Sequence, residues 1–421
     1  MQGKKILIII AFIVVIIGFG ALIYFVFIRD LVTPTNDTNV NEVSNENVNG
    51  TLPVINTVTN TDVTPPVNEG PIINTTTFRN VNGVNVDTVA RGGPTEVSSV
   101  TTTRVQAAEP VVSGDGVRYY DKNIGKFFEL SPGGDAQEMS EEVFPEVEDI
   151  SWSPVDNQAI LSFPDNSNIL FNFDTQEQVT LPKEWDDIDF SPTGSKIGFK
   201  NLSSEERARW LAISNPDGSE VQLIEPIGDK TNDVAVEWSP NGQVVALYRE
   251  NVSGTSQEAY FVGIHGENFK SVVTQGRGFE GKWSPSGEQM IYTVYSADTR
   301  YNPVLHIVDA AGDQIGSNNL NLGVQTWVAR CAFSNSSPNL YCAVPDYLPT
   351  GSGLYPESID NTNDSIYLLD TNSGQKRIIA LPTFFDRSQD YSIASVFLSN
   401  DENELYFIEN NSGRIYSIQL K

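Results

Sequence analysis

The most constraining feature of this chain is a short motif that returns along its second half. Trp238-Ser239-Pro240-Asn241-Gly242 and Trp283-Ser284-Pro285-Ser286-Gly287 match closely, Phe190-Ser191-Pro192-Thr193-Gly194 exchanges the leading aromatic, and Trp152-Ser153-Pro154-Val155-Asp156 opens the series. Degenerate copies come later at Phe333-Ser334-Asn335 and Leu398-Ser399-Asn400, with a weaker one at Val112-Ser113-Gly114. Recurrence at intervals of roughly 40 to 50 residues means stacked copies of one supersecondary unit. Within each copy, proline presets the first dihedral of a tight turn, glycine accepts the positive dihedral that closes it, and serine bonds back to the backbone.

Each turn leads into a strand. Val244-Val245-Ala246-Leu247-Tyr248 and Met290-Ile291-Tyr292-Thr293-Val294 are short apolar runs of the kind that lie buried within a sheet. A second hairpin then completes each period, as in Ile366 to Asp370, the turn Thr371 to Gly374, and Arg377 to Ile379. Two hairpins per period make a four-stranded sheet that needs a neighbour on both faces. Radial arrangement about an axis supplies those neighbours while leaving only short edges. The expected fold class is therefore all-β, a propeller of four-stranded blades. Seven units are counted over residues 97–421, with six or eight left open because terminal repeats are degenerate. The last unit, ending Arg414 to Ile418, lacks a fourth strand, and the β-prone residues 97–106 are expected to supply it and close the ring.

The aromatic-Ser-Pro-x-Gly hairpin with its short apolar strand resembles the repeat of bacterial TolB-like, WD-repeat-like β-propellers. That resemblance covers residues 110–421 and implies protein interaction in a cell envelope. It departs from the pattern where proline is lost, at Asn335 and Asn400.

Ahead of the repeats the chain changes character. From Ile6 to Ile28 there is no charged residue, and that stretch spans about 34 Å as a helix, enough to cross a bilayer. Lys4 and Lys5 precede it, while Arg29 is offset by Asp30, so the expected arrangement is a cytoplasmic segment 1–5, a transmembrane helix 6–28 and everything beyond exported. A cleaved signal peptide is the competing reading, opposed by the apolar run Leu22 to Ile28 after the small residues Gly18 and Gly20. Residues 29–96, rich in Asn, Thr, Val and Pro, have no apolar periodicity and read as a disordered polar linker.

Charge and motif content narrow the function classes. With 54 acidic against 26 basic residues the formal net charge is −28, which repels phosphate backbones and makes nucleic acid an unsuitable partner. No G-x-S-x-G occurs, and the G-x-x-x-x-G-K run from Gly276 to Lys282 places Trp283 where a phosphate-binding loop needs Ser or Thr. No motif calls for a cofactor, and no catalytic set is assigned. Cys331 and Cys342 flank a turn and form a disulfide if register sets them opposite, or two buried thiols if it does not.

One constellation remains. Glu148 and Asp149, Asp186 and Asp187, Asp233, and Glu280 fall just before the inner strands, in equivalent connections expected near the central opening. Such carboxylates would hold a cation or dock a basic peptide, unless they are simply solvated loops; Arg330 occupies a comparable place and would offset part of their charge. The insertion from Pro345 to Asp364, with Tyr347 and Tyr355, reads as a partner surface or a structural flap. The leading expectation is a membrane-tethered, extracytoplasmic scaffold that binds a protein, peptide or envelope polymer. The alternative is a metal-assisted lyase or hydrolase using the acidic residues.

Overall fold

The computed structural model describes residues 78–79, 85–131, 133, 135–383 and 391–421. Most of them form seven four-stranded antiparallel sheets, each running outward from an axis in sequence order. Blade 1 comprises Val105–Pro110, Val117–Asp121, Lys126–Leu130 and Ala136–Glu138; blade 2 comprises Asp149–Trp152, Gln158–Ser162, Asn168–Asn172 and Glu177–Leu181. Blade 3 is Trp185–Phe190, Ile197–Asn201, Trp210–Ser214 and Gln222–Pro226, and blade 4 is Val234–Val236, Val244–Ser253, Ser256–Gly263 and Asn268–Val273. Blade 5 is Arg277–Trp283, Gln289–Tyr295, Val304–Asp309 and Leu320–Asn321; blade 6 is Cys331–Phe333, Asn339–Pro345, Asp364–Asp370 and Lys376–Thr383. Blade 7 takes Ile393–Leu398, Glu404–Glu409 and Ile415–Gln419 from the end of the chain and Ser98–Ser99 from its beginning. Among the described residues, helix is confined to single 3-10 turns. The count left open by the sequence resolves at seven.

The pattern of burial explains the layering. Second strands have buried apolar centres, as in Ala159, Ile160 and Leu161, each at most 1% exposed, because both faces of that strand meet another blade. Outer strands such as Glu177–Leu181 are polar and largely exposed. A separate apolar cluster fills every space between neighbouring sheets, including the last: Val105, Val117 and Tyr119 of blade 1 pack with Tyr406 and Ile415 of blade 7. The motif aromatics do the wedging. Trp152 lies between blades 1 and 2 with Phe127 and Phe173, and Trp283 between blades 4 and 5 with Phe261.

The turn chemistry matches the sequence motif. Ser239 Oγ accepts the Val244 N–H at 2.9 Å and donates to Asn241 Oδ1, while Gly242 takes φ +72°. The same serine-to-backbone bond recurs at Ser191, Ser284 and Ser399. In blade 6, where proline is missing, the turn is held from outside. The Glu402 carboxylate of blade 7 accepts from Asn335 N–H at 2.7 Å, Ser336 N–H at 3.0 Å, and the Ser334 and Ser336 hydroxyls at 2.8 Å. Glu402 occupies the glycine position of its own turn at φ +54°, so this cap is kept at the cost of backbone strain.

Three sequence expectations need correction. Ring closure uses only Ser98 and Ser99, paired antiparallel with Ser417 and Tyr416, whereas Val105 already belongs to the innermost strand of blade 1. Residues 85–96, read as the end of the polar linker, carry structure. Gly93–Glu96 pairs in parallel with Ala380–Thr383 as a fifth strand on blade 6, with Thr95 and Val86 buried. The edge of that outer strand is long enough to recruit a partner, and local composition does not report it. Third, Arg330 does not offset the acidic residues: its Nη1 lies 3.0 Å and 3.3 Å from the two carboxylate oxygens of Asp364, with both side chains buried. Cys331 and Cys342 stand directly opposite across blade 6 and are bonded, with S–S 2.09 Å. The expected transmembrane segment 6–28 lies outside the described residues, among which no helix is long and apolar enough to cross a membrane.

Candidate functional site: the mouth and throat of the central channel

Each innermost strand has one edge that pairs with nothing in its own sheet, and those edges surround the axis. Their backbone groups need partners. Neighbouring blades supply several: Asp187 Oδ2 accepts from Val236 N–H at 2.9 Å, Asp189 Oδ2 from Trp238 N–H at 3.2 Å, and Asp364 Oδ2 from Ile393 N–H at 2.6 Å. Lys282 Nζ does the converse job, donating to Cys331 O at 2.7 Å. Part of the acidic lining is therefore structural, stapling blade to blade.

At the end of the channel where inner strands begin, Glu148, Asp149, Asp186 and Asp187 come together around a hollow of about 230 Å³ between blades 2 and 3. Lys200 reaches this group, with Nζ 3.0 Å from Asp187 and 3.8 Å from Asp186. Burial, with the Asp187 and Asp186 charges adding to it against a bond from Ile150 N–H, pushes the Asp149 carboxyl above the usual range. Asp233 and Glu280 are exposed and take no part in that hollow. Among the described residues no three His, Cys, Asp or Glu side chains stand close enough to share a metal ion. The 345–364 insertion docks on blade 5, where Gly351 N–H donates to Arg300 O and Gly353 N–H to Tyr301 O. Tyr347 and Tyr355 are left exposed on it.

The larger feature lies at the other end, where inner strands run into the Ser-Pro turns. All seven blades contribute to a cavity of about 550 Å³. Its wall is formed by Trp152, Phe190, Trp238, Trp283, Phe333 and Leu398, with Pro154, Pro192, Pro240 and Pro285 at the turns. Beneath that wall stands a ring built by the residue just before the motif aromatic. In register these are Glu109, Ser151, Asp189, Glu237, Lys282, Ala332 and Phe397. Alternation along the strand puts the aromatic between blades and turns its predecessor toward the axis.

Three carboxylates thus face one ammonium group in a confined space. Glu109 keeps 51% of its side chain surface open to the channel, and Arg118 Nη2 lies 3.5 Å from it. Burial pushes the Asp189 carboxyl up to about 6, against bonds from Trp238 and Phe190 N–H. Burial, with the Asp189 charge adding and Lys282 opposing, pushes Glu237 up to about 8. Desolvation draws Lys282 downward while Glu237 and Glu109 hold it up. The sequence reading singled out the acids before each inner strand and missed this ring. The signal was present one residue ahead of every motif: Asp189-Phe190, Glu237-Trp238 and Lys282-Trp283.

Together these observations define a seven-bladed β-propeller with a polar throat beneath an aromatic mouth. No family model matches the chain, and no curated protein matches it either. Among solved structures it is similar to the β-propeller domain of Myceliophteria thermophila Cps50 (Swd1), with TM-score 0.49 and 10% identity over 77% of this chain and 100% of that one. It is similar to Kuenenia stuttgartiensis hydrazine synthase, with TM-score 0.49 and 12% identity over 76% of this chain and 98% of that one. It is also similar to an oligogalacturonate lyase in complex with manganese, with TM-score 0.47 and 10% identity over 79% and 99%. Likenesses this loose say nothing of activity. The fold assignment rests on this chain's own strand order.

Proposed function

We propose that this chain is a membrane-tethered, extracytoplasmic scaffold that binds a protein or peptide at the aromatic mouth of its propeller. The observation that carries the reading is the mouth itself: a cavity of about 550 Å³ to which every blade adds a residue, with apolar rings outside and charged groups within. Apolar walls with a few placed polar groups are what recognition sites use to combine burial with orientation. The tether is inferred from the uncharged run Ile6 to Ile28 and from the lysines before it. Resemblance to TolB-like repeats supports a role in envelope protein interaction.

Site-specific photo-crosslinking in intact cells tests this. A crosslinking residue at Pro285, exposed on the rim, is expected to capture a partner, whereas one at Val179 on the outer strand of blade 2 is not. Capture at Val179 with silence at Pro285 would overturn the assignment of the mouth.

A further inference from the structure

We propose that the insertion of blade 6, together with the turn of blade 5 on which it docks, is a second docking surface, for a protein segment that carries arginine. It stands apart from the mouth. Each inner strand runs into its turn at the mouth and the second strand returns, so the connection from second to third strand, which the insertion lengthens, lies at the opposite end of the propeller.

The first observation is where aromatic surface is exposed. Among the described residues from 86 onward only three aromatic side chains, Tyr301, Tyr347 and Tyr355, are well exposed, at 43%, 69% and 62%, and all three belong to this assembly. Leu354, 45% exposed, adjoins Tyr355. Single exposed apolar residues are ordinary, whereas aromatic groups gathered on one loop mark a contact surface.

The loop that carries them is firmly built. Gly351 N–H donates to Arg300 O at 2.9 Å and Gly353 N–H to Tyr301 O at 2.8 Å, tying the insertion to blade 5. On its other side Ser392 Oγ donates to Ile359 O and Asn411 Nδ2 to Asp360 O, each at 3.1 Å. Ser352 and Ile359 are buried within it. Arg300 and Tyr301 both take φ +55°, which bulky side chains avoid, and the bonds from Gly351 and Gly353 hold them there. The rings are thus presented on a fixed frame, so little ordering is left to oppose contact.

The charge around these rings chooses the partner. Asp298, Asp346, Glu357 and Asp360 are exposed on the same two segments against one exposed base, Arg300, and none of the five is in an ion pair among the described residues. An acidic rim repels anionic polymers and anionic lipid and attracts cations. Arginine suits both parts at once: its planar guanidinium stacks on a tyrosine face while its N–H fork meets a carboxylate. Lysine offers the charge without the plane. The Tyr, Ser, Gly and Asn of the insertion are the mix that protein-binding loops use, rigid aromatic anchors beside adaptable polar groups.

The test uses the full-length chain and three capped heptapeptides of glycine and serine carrying two arginines, two lysines or two citrullines, with maltoheptaose as a neutral glycan probe, all followed by titration calorimetry. Citrulline keeps the shape of arginine and removes its charge. The arginine peptide is expected to bind about tenfold more tightly than the citrulline peptide, with lysine between them. Tyr347→Ser with Tyr355→Ser should weaken the arginine peptide about fivefold, whereas Tyr347→Phe with Tyr355→Phe, which keeps the ring faces, should retain its affinity. Glu177→Gln, on the outer strand of blade 2, should change nothing. Equal affinity for the arginine and citrulline peptides would overturn the proposal. So would an equal loss from Glu177→Gln and from the tyrosine pair, since that marks attraction to bulk charge. Maltoheptaose binding that the serine variants abolish would replace the protein partner by a glycan, and no binding of the arginine peptide would overturn the surface altogether. Crosslinks at Pro285 concern the other end, so the two readings fail separately.

Discussion

Replacing Glu237 by glutamine removes a carboxyl that the fold holds in its protonated form, and the stability change can be worked through with its sign. Burial first, and the Asp189 charge second, lift this group from its ordinary 4.5 to about 8. Because the folded value exceeds the unfolded one, the associated stability is fully present below about pH 4.5 and disappears as pH rises through about 8. For a carboxyl sealed from water that interval corresponds to about 5 kcal/mol at 1.36 kcal/mol per pH unit. Glu237 stands on a channel that admits solvent, so water bears part of the charge and about 2 kcal/mol is expected. Glutamine keeps the shape and cannot ionise. Urea unfolding of both proteins at pH 5 and pH 9 should therefore show near-equal stability at the lower pH and a variant about 2 kcal/mol more stable at the higher one. Titrating groups away from the channel are common to both proteins and cancel, while Lys282, which Glu237 helps to hold up, loses that support in the variant and takes back part of the gain. A variant that is equally or less stable at pH 9 would refute the placement of Glu237 in a desolvated, acid-facing ring.

Other perturbations probe the parts that build the ring. Glu402→Gly should destabilise by about 2 kcal/mol in urea even though glycine suits φ +54°, because it deletes four hydrogen bonds to the blade 6 turn. Arg330→Met alone should cost about 3 to 5 kcal/mol by leaving Asp364 charged and buried, whereas Arg330→Met with Asp364→Leu should recover much of that loss by the same measurement. Removing residues 1–99 uncovers the outer strands of blades 6 and 7 and should lead to aggregation on size exclusion, while removing residues 1–77 should not.

How much of this was legible beforehand depends on what each signal encodes. The motif Trp-Ser-Pro-x-Gly reports a local event, a turn feeding a buried strand, and the local event repeats, so blades could be recognised, while the degenerate terminal copies left their number open between six and eight. Ring closure by Ser98 and Ser99 is nonlocal: two serines have no apolar pattern, and only the unpaired edge of Ile415–Gln419 makes them a strand. The same holds for Gly93–Glu96, whose partner lies far along the chain at Ala380–Thr383. Arg330 lies in the turn Val328–Arg330 just ahead of its inner strand, and its partner Asp364 sits at the far end of an insertion whose length hides the pairing. The throat residues stood next to the most visible motif in the chain. They were passed over because acids before each strand outnumber them, and composition cannot separate a carboxylate that staples a backbone N–H, such as Asp187, from one left open, such as Glu237.

A closed ring in which the beginning of the chain finishes the last blade is what creates the channel, its mouth and its throat. Cysteines at positions 98 and 417, through Ser98→Cys and Ser417→Cys, test that closure directly, since these residues face each other across the final strand pair. Peptide mapping without reductant should find the two positions joined within one chain, alongside the native link between Cys331 and Cys342. Two free thiols at 98 and 417 in a folded protein, or a bond formed only between separate chains, would contradict the ring and every inference drawn from its axis.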